Sequence, residues 1–134
     1  MISGSFNVRS STNMEGIDIT DHLSRELDPH AVKDGLCFLF NPHTTAGLTI
    51  NEGADPAVRG DLIAGLRQMV PLDYPFRHQE GNSPAHIMAS LVGSSLTVAL
   101  RDGRLQLGTW QKIFFCEFDG PRNRTVHYHL LPAA

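Results

Sequence analysis

The chain has 134 residues, 41% of them hydrophobic, and a formal net charge of −3, which is the size and balance of one domain with its own core. Its basic residues are scattered apart from Arg101/Arg104 and Arg122/Arg124, so it lacks the strongly basic face of a nucleic-acid binder; a small phosphorylated ligand remains open, given a local counter-charge. No apolar run approaches the roughly 18–20 residues of a membrane helix and Met1–Ser10 has no secretory apolar stretch, so no membrane partner and a cytoplasmic location are expected.

Residues 4–9 read as a first strand. Asp18 to about Lys33 contains a short amphipathic helix, with Thr20 or Asp21 as N-cap before Leu23 and Leu27, closed by Gly35. Leu36–Phe40 is a continuous apolar run, expected to be a strand buried on both faces, and Thr45–Asn51 alternates as the next strand. Asp55–Pro56 pairs a capping side chain with proline at the first helical position. Val58, Leu62, Leu66 and Met69 or Val70 then recur at helical spacing up to Pro71. Ser83–Pro84 opens a second such helix, carried by Ile87, Met88 and Leu91 and stopped at Gly93. Asp102–Gly103, between Leu96–Leu100 and Arg104–Leu107, is a type I′ hairpin pair. Residues 112–118 and 125–130 complete the strands around Asp119–Gly120–Pro121. The pattern predicts one α+β domain over 1–134, compact and sandwich-like, with mostly antiparallel sheet and two or three helices. Cys37 and Cys116, each inside an apolar strand, read as inert core thiols.

Two spans concentrate polar chemistry. His43, Thr44 and Thr45 end one strand, and Asn51, Glu52, Asp55 and Asp61 follow closely. His78–Gln79–Glu80–Gly81–Asn82–Ser83 is the second, with His86 in the next helix's first turn. Imidazoles beside carboxylates suit metal binding or acid–base work near neutral pH. Bland readings stand beside these: Asp55 as an N-cap, Asp61 as a solvated helix residue, His43 as a partner of a backbone carbonyl, Trp110 as packing. His127 and His129 share one face of a strand, and their bland reading is the exposed one.

His43–Thr44–Thr45–Ala46, Asn51–Glu52, Asp55, Asp61–Leu62, Val70–Pro71, His78, Asn82, Ala85–His86, Leu91, Asp102–Gly103, Leu107–Gly108–Thr109–Trp110–Gln111 and Asp119–Gly120–Pro121–Arg122 together resemble the YjbQ family over nearly the whole chain. The resemblance implies a compact α+β sandwich, a homo-trimer, and a weak thiamine-phosphate synthase activity joining a pyrimidine diphosphate to a thiazole phosphate. It further implies a pocket with His43, Asn51, Glu52, Asp55, Asp61 and His86 as catalytic candidates. Thr44, Thr45, Asn82 and Trp110 are the substrate-binding candidates. Many relatives carry a polar or acidic residue where this chain has Pro84, which removes whatever that side chain contributes.

In such a reaction charge develops on the leaving diphosphate, and stabilising it is the main task. A divalent metal would do so: zinc on His43, His78 and His86, or magnesium on Glu52 and Asp61 with waters. Two alternatives use the same pocket, a metal-dependent hydrolase or phosphate-transfer enzyme, and a non-catalytic sensor of a small phosphorylated metabolite.

Overall fold

Alternation sets the first layer. In β1 (Ile2–Arg9) Phe6 and Val8 turn inward while Ser5, Asn7 and Arg9 face out. The same period places Cys37 and Leu39 of β3 (Gly35–Phe40), Val98 and Leu100 of β5 (Ser95–Arg101), and Val126, Tyr128 and Leu130 of β8 (Asn123–Pro132) on one buried face. In the computed structural model, which describes residues 1–134, these strands and the short β6 (Arg104–Leu105) form an antiparallel sheet of order β1-β8-β3-β5-β6. A second sheet, β2-β7-β4, combines β2 (Glu15–Asp18), β7 (Gln111–Glu117) and β4 (Ala46–Glu52). The fold is α+β, as the pattern predicts.

β7 is the strand with two buried faces. Ile113 and Phe115 join the core between the sheets, whereas Phe114, Cys116 and Phe118 beyond it pack under two helices, α2 (Pro56–Met69) and α3 (Ser83–Val92). A third helix, α1 (Thr20–Leu27), closes the sandwich with Leu23 and Leu27. No helix is long and apolar enough to cross a membrane. Cys37 and Cys116 are free thiols, and burial pushes them up to about 11 and about 12, so neither is a nucleophile at neutral pH.

Several local expectations need correction. β3 is buried on one face only: Leu36 and Phe40 are 46% and 41% exposed, because the first sheet's outer face carries no helix. Neither Thr20 nor Asp21 caps α1. The Asp18 carboxylate takes the Thr20 N–H at 3.0 Å, and Thr20 Oγ1 turns inward to accept the Ile113 N–H at 2.8 Å. The helix ends at Leu27 in a 3₁₀ turn, Asp28–His30, and Gly35 opens β3 instead of closing the helix. β2 lacks a run of strand formers and exists through its pairing with β7. The remaining signals hold: Asp55 Oδ1 accepts the Ala57 N–H at 2.9 Å at the head of α2, and Asp102 and Gly103 take positive φ, 51° and 77°.

One end of the sandwich is tied by charge. Glu117 closes β7 and Arg124 is the second residue of β8; both are buried and form an ion pair, with Arg124 Nε donating to Glu117 Oε1 at 2.8 Å. Ser10 Oγ also donates to Oε1 at 2.7 Å, the Asp119 N–H reaches Oε2 at 3.0 Å, and Arg124 donates to Thr45 Oγ1 at 2.9 Å. Burial alone would raise the Glu117 pKa, but hydrogen bonds from Arg124, Ser10 and Asp119 outweigh it and hold the carboxyl below its ordinary 4.5. A lowered folded pKa gives stability that is present above the unfolded value and lost as pH falls through the folded one. Glu117→Gln leaves Arg124 buried without its counter-charge, so it should cost about 3–5 kcal/mol. That would lower the melting temperature by on the order of 10 °C at pH 7 and flatten the acid limb below pH 4.5, as thermal denaturation at several pH values would show.

Candidate functional site

β3 ends at Phe40, where the chain crosses from the first sheet to the second. The crossing is held from within by Asn41, which is 1% exposed. Its Oδ1 accepts the His43 N–H at 3.0 Å and its Nδ2 donates to the Ala46 carbonyl at 2.8 Å. This Asn-Pro turn projects His43 across the end of the first sheet. The last β3–β8 pair is Phe40 with His127, so the Thr125 N–H lies beyond the reach of β3. The His43 ring takes the vacant ladder position, and the Thr125 N–H donates to its Nε2 at 2.9 Å.

Around that ring opens a cleft of about 430 Å³ lined by Pro42, His43, Thr44, Thr45, His78, Glu80, Asn82, His86, Asp119, Arg122 and Arg124. His78 comes from the loop before α3 and His86 from its first turn; their rings meet edge-on, centroids 5.4 Å apart. The floor is the turn from β7 to β8. There Asp119 Oδ2 accepts from Asn82 Nδ2 at 2.9 Å and from Arg122 at 3.0 Å, tying α3 to the buried ion pair. Asn82 Oδ1 is buried and has no hydrogen-bond partner. Pro84 sits in the first turn of α3 and has no N–H. The Ala85 N–H bonds the Asn82 carbonyl at 3.0 Å, so Ser83 supplies the first-turn donor.

Thus His43, Thr44, Thr45, His78, Asn82 and His86, from three separate segments, share one cleft. Asn51, Glu52, Asp55, Asp61 and Trp110 lie outside it. Asn51 and Glu52 end β4 five and six residues beyond Ala46, roughly 17–20 Å along the strand. Trp110 is beside them, its carbonyl accepting the Gly53 N–H at 2.9 Å and its side chain 63% exposed. Asp55 caps α2, and Asp61 is exposed on that helix. His127 and His129 lie on the first sheet's outer face, where Ser3 Oγ meets His129 Nδ1 at 2.8 Å.

The cleft also holds Arg122 and Arg124, which are not among the candidates read from the sequence, and Glu80 and Asp119, which the sequence places only in the second polar span and in the family-like stretch. For Arg124 a signal existed: a lone carboxylate, Glu117, interrupts an apolar strand, and an arginine seven residues later faces it across a turn. As placed, the imidazoles do not fit a resident three-histidine metal centre. His43 Nε2 is committed to Thr125, and nowhere do three or more His, Cys, Asp or Glu side chains gather at metal-binding distance.

A three-layer α+β chain with an imidazole cleft at one end of its sandwich belongs to an architecture already solved. A protein from Aeropyrum pernix superposes with a TM-score of 0.94 at 35% identity, covering 99% of this chain and 100% of that one. A YjbQ/UPF0047 protein from Clostridium acetobutylicum does so with a TM-score of 0.91 at 46% identity, covering 95% and 98%. The chain belongs to the YjbQ family: the family model for UPF0047 YjbQ-like proteins matches residues 4–133. It is 46% identical over 126 residues to the UPF0047 protein MJ1081 of Methanocaldococcus jannaschii, covering 94% of this chain and 91% of that one. It is 43% identical over 125 residues to YugU of Bacillus subtilis, covering 92% and 95%.

Burial, and after it the Arg124 guanidinium, hold the His43 imidazole below its ordinary 6.5, with Glu117 opposing. The fold therefore favours the neutral ring, and this contribution is present above the unfolded pKa and lost as pH falls through the folded one. An NMR titration should find His43 still neutral at a pH where an imidazole of ordinary pKa is half protonated, and His43→Gln should weaken the loss of stability below pH 6.5.

Proposed function

We propose that the cleft binds a small phosphorylated molecule and supports a weak transferase reaction of the thiamine-phosphate synthase type. The observation that carries this reading is the lining itself, in which two arginines, three imidazoles and two hydroxyls, with the Glu80 and Asp119 carboxylates among them, surround a space with no apolar side chain but Pro42. In the reaction the thiazole nitrogen attacks the pyrimidine's methylene carbon, the carbon–oxygen bond to diphosphate breaks, and its electron pair leaves on the diphosphate. Arg122 and Thr44 are donors suited to that charge. His78 and His86, whose rings meet in a T, are suited to delivering a proton to it. Asn82 Oδ1, buried without a donor, suits an N–H or O–H of the organic portion.

The family resemblance also carries a trimer into this proposal, and Leu36, Phe40 and Leu131, exposed together on the uncovered face of the first sheet, are compatible with a subunit contact. A trimer would allow the Glu52–Trp110 end of one copy to approach the cleft of another. A cytoplasmic setting fits a phosphorylated substrate.

Turnover of the two thiamine precursors should be compared with turnover of simple phosphate esters. Arg122→Ala and His86→Ala should lower kcat/KM for thiamine phosphate formation about a hundredfold, with little change in melting temperature. Hydrolysis of esters alone would replace the transferase by a hydrolase, and binding without turnover would leave a sensor. Glu52→Ala and Asp61→Ala separate two cases: unchanged activity confines the chemistry to the cleft, and an equal loss requires a second copy. Light scattering at micromolar concentration should report a trimer.

A further inference from the structure

A backbone N–H can approach a ring nitrogen only where that nitrogen carries a lone pair and no hydrogen. The contact from Thr125 therefore fixes the tautomer of His43: Nε2 is the acceptor, and the proton resides on Nδ1. The usual freedom of an imidazole is gone here. Protonating Nε2 would set two N–H groups against each other across 2.9 Å and leave the ladder position beside β8 unfilled. The ring cannot turn over either, because that would present a carbon to Thr125. Nδ1–H has no acceptor within the protein, and the ring lines the cleft. Ordinary metal ligation and general-base catalysis both need a free lone pair, and the only one His43 has is spent on the backbone.

From this geometry we infer that His43 is a fixed neutral donor that hydrogen-bonds a phosphoryl oxygen through Nδ1–H, in a cleft that binds diphosphate without a metal. The inference rests on the reading of the cleft as a phosphoryl site and changes what that site is made of. Its guanidinium groups are Arg122, which Asp119 holds through Nε and Nη2 and which keeps Nη1 free, and Arg124, which is paired with the buried Glu117. Its directional donors are His43 Nδ1–H and the Thr44 hydroxyl. A neutral donor of fixed orientation suits a charge that grows during the reaction, since it needs neither protonation nor reorientation when the charge appears.

The test exploits the lengths of two amides. Asparagine places an amide N–H where Nδ1 lies and cannot reach Thr125; glutamine reaches the Nε2 position, so its carbonyl can accept from Thr125, and it vacates the Nδ1 position. Inorganic diphosphate is titrated into the full-length protein in chelator-treated buffer by calorimetry, and ¹⁵N spectra of the histidine rings are recorded in parallel. The spectra should show His43 protonated at Nδ1 alone. Diphosphate should bind the wild type without metal. Binding to His43→Gln should be weaker by about ten- to a hundredfold, the loss of one hydrogen bond to a charged group. His43→Asn should bind nearly as well as wild type although it melts lower. A proton on Nε2, wild-type binding that requires a divalent metal, or undiminished binding by His43→Gln each overturns the inference. Thiamine phosphate formation is measured separately, so its absence beside the expected binding pattern removes the transferase and leaves the donor role intact.

Discussion

Glu117 and Arg124 enter the interior from consecutive strands, one at the last residue of β7 and the other at the second of β8, with the turn that floors the cleft between them. Two charges buried this far cost several kcal/mol each to desolvate. That cost is offset because every part of the pair is used: Ser10, Asp119 and Thr45 take up the positions that the two partners leave. The three contacts come from the end of β1, from the turn itself and from the start of β4. A single ion pair thus joins both sheets at one end and fixes where the 41–46 crossing and the 118–122 turn must lie. His43 and Arg122, which have no rigid element of their own, inherit their positions from it.

The two sheets do not contribute equally to function. The first sheet supplies an edge, where β3 stops short and leaves the Thr125 N–H to a side chain. The second supplies a platform, because β7 is covered on both faces and carries α3, whose first turn brings His86 and Asn82 to the cleft. Ladder geometry accounts for a chemical property here. An imidazole recruited to finish a β-sheet loses one of its two nitrogens to the backbone, so the same interaction that seals the sheet decides the protonation state presented to a ligand.

Much of this architecture was legible in the sequence. The two-residue turn at Asp102–Gly103, the Asp55–Pro56 start of α2 and the apolar run of β7 are local signals, and each formed where local physics puts it. Leu36–Phe40 misled because an apolar run says that side chains avoid water but not which face is covered, and the helices went to the other sheet. β2 was invisible since it is made by its partner. Within the site, the histidine-bearing segments were recognised from the clustering of imidazole, amide and hydroxyl groups. Asn51 and Glu52 are grouped with them by nearness in sequence and Trp110 by the family resemblance; β4 carries the first two to the opposite end, where Trp110 lies beside them. The Glu117–Arg124 pair escaped notice for a different reason: a buried charge reads as a surface residue until its partner across the turn is considered.

The central claim, that the cleft receives a phosphoryl group directly from protein donors, is tested most directly by a crystal structure of the protein grown with diphosphate in the presence of chelator. The account predicts diphosphate between Arg122 and the first turn of α3, with one phosphoryl oxygen at hydrogen-bond distance from His43 Nδ1 and Thr125 still bonded to Nε2. Diphosphate bound at the Glu52–Trp110 end of β4, or a His43 ring released from Thr125 to engage the ligand through Nε2, would contradict it.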